Sequence, residues 1–355
     1  MRLRSKWLLG VVYVLATIQF VWSYLWLTRP YVNTQLYEQG QERMPFQGRL
    51  LMMLPMKWAH QSSTLHKLTE PFAKSHFWFP RPVAPEVLIQ ATADVFCILI
   101  AGFLTARMYQ ATSKRKLLTP MVFPLFLVVC GVTYIIHTVQ NFRFIYDFES
   151  LAFFAMGMYL ILLRKNLLYF VILFVVATVN RETTLLLLPL YMIDRSVEAG
   201  KLRWRLFWQR ETMWLVLPLA AIWVCWQIFV RAHFAANASE LYPRLDWNLK
   251  SLIYPQSWPQ LFSACGYLLL LIIVMRRRIA NSQLRAWLWV LPIWIAFMFV
   301  FGILIETRVF GELIPFVVCS TCLVMEETIV ARHRQSDDLM TISDRMAIRH
   351  FNNAA

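Results

Sequence analysis

Charged residues are scarce in this 355-residue chain, because only 15% of its positions are Asp, Glu, Lys or Arg. A soluble domain usually carries about 25% charged residues. Hydrophobic residues make up 59% of the chain, and its mean hydropathy is +0.51. Acidic residues are scarcer than basic ones, with 20 Asp and Glu against 35 Lys and Arg. This balance excludes an ordinary soluble protein and indicates an integral membrane protein with many spans.

Several familiar catalytic signatures are also missing. The chain has no Gly-rich phosphate loop, no G-x-S-x-G and no H-E-x-x-H sequence, which argues against the enzymes that depend on those motifs. The six cysteines lie in or at the ends of apolar segments, where small residues normally help helices to pack. The sequence therefore requires no cofactor, and it leaves a role for a divalent cation open.

The net charge of +15 is spread over short loops between apolar segments. Cytoplasmic loops of membrane proteins have this composition, so we expect phosphate-headed lipids, and not nucleic acid, as the counterpart. Arg2, Arg4 and Lys6 precede an apolar run over 7–27 that is too long for the core of a signal peptide. This pattern predicts a retained first helix with its N-terminus inside.

Hydropathy predicts an all-α membrane bundle over 1–331, with about ten transmembrane or re-entrant helices and both termini in the cytoplasm. Three apolar segments are too short to cross a hydrocarbon core of about 30 Å, so we expect them to be re-entrant, broken or packed inside the bundle. Polar ends that extend these helices are the alternative. The apolar segments lie near 7–27, 87–106, 119–138, 150–163, 166–179, 183–193, 211–230, 258–275, 286–305 and 313–331.

Two long loops fall on the predicted extracytoplasmic side, 28–86 and 231–257. The first contains an apolar stretch at 48–58 that is typical of an interfacial helix. It also contains an aromatic, Pro-rich stretch at 76–82 that is typical of interfacial anchors. The polar residues 332–355 are predicted to form a cytoplasmic tail.

Three motifs that combine arginines and acids lie where apolar segments end or turn, all on the predicted extracytoplasmic face. Polar side chains near hydrocarbon are costly and usually mark a site, so we expect one active site or binding cavity there. The structural alternative is that Arg181 only pairs with Asp147 or Glu306 to hold helices together, and that Arg143 lies among lipid headgroups. The motifs are Arg143-Phe-Ile-Tyr-Asp147-Phe-Glu149, Asn180-Arg181-Glu182 and Glu306-Thr-Arg308-Val-Phe-Gly-Glu312, with Arg49 in the first loop.

These residue types suit chemistry on a lipid phosphate. Arginines hold phosphate oxygens through charge-assisted bonds and stabilise the charge on a departing phosphate, and a nearby carboxylate can accept a proton from an acceptor hydroxyl. The predicted catalytic residues are Asp147, Glu182 and Glu306. The predicted substrate- and phosphate-binding residues are Arg49, Arg143, Arg181, Arg308 and Glu312.

The order of these motifs resembles bacterial multi-span proteins allied to the C-type glycosyltransferase superfamily. The resemblance covers most of the chain in layout, but in detail only short motifs such as Pro-Phe-x-x-Arg49, Asn180-Arg-Glu-Thr183 and Glu306-x-Arg-x-Phe-x-Glu312-Leu-x-Pro. It implies transfer of a sugar from a polyprenyl-phosphate donor on the extracytoplasmic face of a bacterial inner membrane.

The chain departs from that superfamily in its first loop. In that superfamily an acid near the outer end of an early helix usually serves as base or metal ligand. The first loop of this chain has no Asp-x-Asp or Glu-x-Asp, only Glu38-Gln-Gly-Gln-Glu42. The resemblance therefore assigns neither the base nor the metal requirement, and Asp147 is the first candidate for the base. A polymerase or ligase of undecaprenyl-linked glycans remains an alternative, as does a transporter or flippase for an anionic lipid or solute. A non-catalytic assembly subunit is a further alternative.

Overall fold

The computed structural model describes residues 2–74, 83–136 and 141–332, and almost all of their regular structure is helical. The aromatic stretch predicted at 76–82 and the tail beyond 332 lie outside the described residues. The helices before the middle of the chain are α1 (Arg2–Leu27), α2 (Thr34–Glu38), α3 (Met53–Gln61), α4 (Ser63–Lys74), α5 (Pro85–Thr112), α6 (Thr119–Tyr134) and α7 (Asp147–Leu162).

The later helices include several that are broken into short pieces. They are α8 (Leu167–Asn180), α9 (Leu187–Arg195), α10 (Arg210–His233), α11 (Leu245–Ile253), α12 (Trp258–Phe262), α13 (Leu268–Val274), α14 (Ser282–Trp287), α15 (Val290–Phe301) and α16 (314–332). Turns of 3-10 helix connect or extend many helices: Phe46–Gly48, Leu50–Met52, Glu182–Leu186, Trp204–Trp208, Pro255–Ser257, Arg276–Arg278 and Thr307–Leu313.

Hydropathy and length identify which of these helices suit a bilayer. In the part of the chain that the structure describes, five helical stretches are long and apolar enough to cross a membrane: Trp7–Leu27, Pro85–Thr112, Arg210–His233, Ser282–Phe301 and Thr307–Arg332. The fold is therefore that of an all-α protein with several helices suited to a membrane. The helices α6 and α8 are apolar but shorter.

Local sequence explains several helix starts. Asn33, Asn166 and Asn281 precede α2, α8 and α14, and each side chain accepts a hydrogen bond from a backbone amide of the first turn, at 3.2, 3.0 and 3.0 Å. Asparagine is a favoured N-cap because its side chain replaces a missing helical acceptor. Pro85 and Pro120 occupy the first turns of α5 and α6, where a proline loses no hydrogen bond.

The short predicted segments take two different forms. The segment predicted at 150–163 is part of the 16-residue helix α7. This helix begins earlier than predicted, at Asp147, and its first turn contains the buried acids Asp147 and Glu149. The segment predicted at 183–193 begins as the 3-10 turn Glu182–Leu186 and continues as α9. At about 1.5 Å per residue, α7 and α8 reach roughly 24 and 21 Å.

One predicted segment, 258–275, is not a continuous helix. The helix α12 ends at Phe262 and α13 begins at Leu268. Cys265, Gly266 and Tyr267 between them have positive φ angles of 51°, 65° and 62°. An α-helix does not continue through left-handed residues. The prediction of one apolar segment over 258–275 therefore combined two separate helices.

The helix α7 lies at the centre of the bundle. It packs against α5, α6, α8, α9 and the turn Thr307–Leu313, and most of its residues are buried. At its N-terminal end Phe148 makes edge-to-face contacts with Tyr24 and Tyr134, at ring-centroid distances of 4.7 and 4.9 Å. This position leaves the first turn of α7 surrounded by other elements on all sides.

Two pairs of two-residue strands complete the fold. Strand β1 (Arg29–Pro30) pairs in parallel with β2 (Phe142–Arg143), and so ties the segment after α1 to the segment before α7. Strands β3 (Val197–Glu198) and β4 (Lys201–Leu202) form a small antiparallel hairpin after α9.

The two long loops contact each other directly. Arg43 Nη1 lies 2.6 Å from Glu240 Oε1. The backbones of Met44 and Ser239 form an isolated parallel β-bridge. Asn237 Nδ2 donates to the carbonyls of Gly40 and Glu42 at 2.9 and 2.7 Å. We call the contact between 40–44 and 237–240 the loop clasp. It holds the first loop in a fixed position over the bundle.

Candidate functional site

The centre of the site is the Asp147 carboxylate in the first turn of α7. Its Oδ1 lies 3.5 Å from Arg181 Nη1 and 3.7 Å from Arg308 Nη1. Tyr24 from α1 donates its hydroxyl to Oδ2 at 3.3 Å. The Asp147 side chain has no exposed surface, so in this conformation it holds other residues and does not itself face a ligand.

Arg181 connects α7 with the last membrane-suited stretch. The residue follows α8 in an extended conformation, and its Nη1 also lies 3.2 Å from Glu312 Oε1. That carboxylate oxygen accepts hydrogen bonds from Thr183 at 2.7 Å and from Ser150 at 2.5 Å. A buried charge needs such compensation. Here one network of hydrogen bonds and ion pairs joins α7, the turn Thr307–Leu313 and the turn Glu182–Leu186.

Arg308 and Glu306 form the more accessible edge of the site. Arg308 Nη2 lies 2.5 Å from Glu306 Oε2, and the guanidinium stacks over the Phe144 ring at 3.6 Å from its centroid. The Glu306 side chain is 35% exposed, whereas that of Arg308 is 13% exposed. Among the three acids predicted to be catalytic, Glu306 is therefore the most open to a ligand.

Arg49 from the first loop joins the site through Glu182 and Tyr146. Its Nε and Nη2 both lie 3.0 Å from Glu182 Oε2, and its guanidinium lies 4.1 Å from the centre of the Tyr146 ring. The Tyr37 hydroxyl donates to the Arg49 carbonyl. Burial raises the pKa of Tyr37 above its ordinary value, so this hydroxyl remains a donor at neutral pH.

Arg143 occupies a different place from the other predicted residues. Its Nη1 donates to the carbonyls of Leu25 and Thr28 at 2.6 and 3.0 Å, at the end of α1. The last carbonyls of a helix lack helical partners and favour a nearby cation. The structure thus brings seven of the eight predicted residues into a linked group and places Arg143 at the end of α1.

Several buried polar atoms around the start of α7 have no hydrogen-bond partner among the described residues. They include Arg181 Nε, the Tyr146 hydroxyl, both oxygens of Glu149 and Oδ2 of Asp94. Buried polar groups are normally bonded, and each exception needs an explanation. Within the described ranges, the first turn of α7 is therefore surrounded by unsatisfied donors and acceptors.

The described residues contain no group of three or more His, Cys, Asp or Glu that could hold a metal ion. Within the same ranges, Asp147, Glu182, Glu306 and Glu312 are each within ion-pair distance of an arginine. In the structure these four carboxylates are therefore paired with guanidinium groups, which they hold in position.

Sequence patterns had not selected several residues that the site uses. Tyr24 lies in a segment without any charged motif, and Tyr37 directly precedes Glu38. Ser150 and Thr183 are small hydroxyl residues beside or within the charged motifs. Glu149 and Tyr146 were visible inside the Arg143–Glu149 motif. Only their burial among other polar groups distinguishes them from ordinary helix-end residues.

No protein family, curated protein or solved structure matches this chain. The fold and the site together define an all-α protein that has membrane-suited helices and a buried group of arginines and carboxylates at the N-terminal end of its central helix. Its function is argued from that group.

Proposed function

We propose that the protein is a membrane glycosyltransferase that moves a sugar from a polyprenyl-phosphate donor to a lipid, glycan or protein acceptor. In this proposal the chain crosses a bacterial inner membrane about ten times, counting re-entrant segments, with both termini in the cytoplasm. The site at the start of α7 then faces the extracytoplasmic side.

The observation that carries the proposal is the grouping of Arg49, Arg181 and Arg308 around Tyr146 and Asp147. Arg49 and Arg181 lie 4.1 and 5.7 Å from the Tyr146 ring centre, and Arg181 shares Asp147 Oδ1 with Arg308. Each guanidinium has five N–H donors, and the carboxylates occupy only some of them. The remaining donors can bind phosphate oxygens.

The chemistry follows from this arrangement. The acceptor hydroxyl attacks the anomeric carbon of the donor sugar, and the bond between that carbon and the phosphate oxygen breaks. Glu306 takes the proton of the hydroxyl, because it is the more exposed carboxylate at the edge of the site. The arginines stabilise the negative charge on the departing polyprenyl phosphate. Asp147 and Glu312 hold Arg181 and Arg308 in position for this task.

The experiment compares lipid-linked glycans and envelope polymers by mass spectrometry in cells with the wild type, a deletion, Glu306→Gln or Arg181→Ala. Arg203→Gln is the matched control, since Arg203 pairs with the exposed Glu198 at the β3–β4 hairpin, away from the site. We expect the deletion and both site variants to accumulate a polyprenyl-phosphate sugar and to lose one glycosylated product. The control should retain the wild-type profile.

The proposal fails if the deletion changes no lipid or glycan. Loss of a solute flux or of a protein complex in that strain would then assign the charged site to transport or assembly. It also fails if both site variants, at wild-type protein levels, produce the wild-type glycans.

A further inference from the structure

A cavity of about 200 Å³ lies at the other end of α7 and α8 from the candidate site. Asp147 begins α7 and Ile161 lies one turn or less from its end, so at about 1.5 Å per residue the two are roughly 21 Å apart. The cavity is lined by Leu160, Ile161, Arg164, Lys165, Leu167, Phe170, Tyr191 and Arg195. Each water molecule occupies about 30 Å³ in the liquid. The cavity therefore has the volume of several water molecules, which is enough for a phosphate group.

Three cations line this cavity, and they come from two separate parts of the chain. Arg164 and Lys165 form the turn between α7 and α8, and Arg195 is the last residue of α9. The turn is fixed, because the amides of Arg164 and Lys165 donate to the carbonyls of Ile161 and Leu160 at 3.1 and 3.0 Å. Their side chains are therefore the groups left to bind a ligand.

The three cationic side chains form no ion pair or hydrogen bond within the described ranges, unlike Arg49, Arg181 and Arg308 at the candidate site. The nearest buried acid, Asp194, interacts with Arg164 and Arg195. Its Oδ1 already accepts hydrogen bonds from Trp287 at 3.0 Å and Gln283 at 3.2 Å. The cavity thus has an excess of positive charge.

The rest of the cavity lining is apolar, and this apolar surface extends from the cavity to exposed leucines at the start of α8. Tyr191 stacks on Phe170 with ring centroids 5.5 Å apart, and Leu160 and Ile161 form the wall beside them. Leu167 and Leu168, at the start of α8, are 45% and 59% exposed. A ligand that matches both parts has a negatively charged head and a hydrocarbon chain. Basic pockets between membrane helices commonly bind the headgroups of anionic lipids.

We propose that this cavity binds the phosphate headgroup of an anionic phospholipid from the leaflet opposite the candidate site. Arg164, Lys165 and Arg195 contact the phosphate, and an acyl chain runs along Leu167 and Leu168. This binding is separate from the proposed transferase reaction, and it depends only on the placement of α7 and α8 in a membrane.

The test uses the purified full-length protein in a neutral detergent. Phosphatidylglycerol, phosphatidylcholine and inorganic phosphate are titrated separately, and binding is followed by native mass spectrometry and by the shift in thermal unfolding midpoint. The test variant carries Arg164→Gln, Lys165→Gln and Arg195→Gln. The matched control carries Arg276→Gln, Arg277→Gln and Arg285→Gln, which remove the same charge from exposed positions outside the cavity.

We expect phosphatidylglycerol to bind and stabilise the wild type and the control, and the affinity of the test variant to fall by about 10- to 100-fold, since each basic residue near an anionic surface contributes severalfold. If the test variant does not fold, Lys165→Gln alone should still weaken binding, because Lys165 is exposed in a turn. Equal phosphatidylglycerol affinity for the test and control variants would overturn the proposal. So would binding of inorganic phosphate as tight as that of the lipid, because it would identify a site for a soluble anion.

Discussion

The Asp147 side chain is the residue on which the candidate site depends, because two arginines and one tyrosine from three other elements bind the same buried carboxylate. Removing one member of a buried ion pair leaves an uncompensated charge, which typically costs about 3–5 kcal/mol. Glu306 is in a different situation, since it is partly exposed and its arginine also interacts with Asp147. The two acids should therefore respond differently to neutralisation.

We expect Asp147→Asn to lower the free energy of unfolding by about 3 kcal/mol and to raise the KM for the donor, because Arg181 and Arg308 lose their shared partner. Glu306→Gln should change stability by less than about 1 kcal/mol and mainly lower kcat. The measurements are thermal unfolding in detergent and transfer rates with the lipid fraction that accumulates in the deletion strain. A fully stable Asp147→Asn variant with no turnover at saturating donor would instead make Asp147 the base.

Gly311 permits a close approach between the turn Thr307–Leu313 and α6. A Cβ atom at this position would overlap the hydroxyl of the buried Tyr134 and lie 2.5 Å from its Cζ. We predict that Gly311→Ala destabilises the protein by about 1–3 kcal/mol, as overpacking usually does. It should also reduce activity, because Arg308 and Glu312 lie in the same turn.

Gly131→Ala in α6 is the control for this substitution, since a Cβ there meets no atom within 4 Å. Thermal unfolding midpoints of the two variants provide the comparison. Equal midpoints for Gly311→Ala and Gly131→Ala would show that Tyr134 moves aside without cost.

At the scale of the elements, Arg143 joins the end of α1 to the start of α7. Its hydrogen bonds to Leu25 and Thr28 accompany the β1–β2 pairing. We expect Arg143→Gln to lower stability by about 1–3 kcal/mol, the usual loss for hydrogen bonds to a charged group, and to leave the KM for the donor unchanged. Unfolding and transfer measurements on the same preparation test this. A raised KM at unchanged stability would support the phosphate-binding role predicted from the sequence.

The elements differ in how far the sequence could predict them. Long apolar helices such as α5 and α10 follow from composition alone, and the asparagine caps mark the starts of α2, α8 and α14. The break at 263–267 has only a weak sequence signal, Gly266, because the flanking residues are apolar and the left-handed backbone extends to Cys265 and Tyr267. The loop clasp has no sequence signal, because nothing in the sequence around Asn237 indicates that its amide donates to carbonyls almost 200 residues earlier in the chain.

At the scale of the whole molecule, hydropathy and charge predict that the candidate site residues lie on one face, but they do not predict which of these residues pair. The structure joins Tyr24 to Asp147, Arg49 to Glu182 and Arg181 to Glu312. Each pair is far apart in sequence, and no short-range pattern specifies which helix lies beside which. The pairs depend on the packing of α7 against its neighbours, which a single sequence does not reveal.

The order of the site residues along the chain has a consequence for biogenesis. Asp147 is synthesised before Arg181 and Arg308, so under the proposed topology α7 reaches the bilayer before the two arginines that bind Asp147. An acid within a membrane helix is costly, by roughly 3 kcal/mol at the helix centre, and Asp147 in the first turn of α7 has no arginine partner at that stage. The N-terminal end of α7 should therefore remain in contact with water until α8 and α16 have been inserted.

A chain that stops after residue 165 isolates this intermediate. With a Ser150→Cys substitution, a membrane-impermeant maleimide should label the truncated chain and not the full-length chain, in which Ser150 is buried against Glu312. Chains without the substitution control for labelling of the native cysteines. Equal protection of residue 150 in both lengths would mean that α7 reaches its final depth alone. Labelling only of the short chain would mean that the segments made after residue 165, which include both arginines and Glu312, cover the N-terminal end of α7.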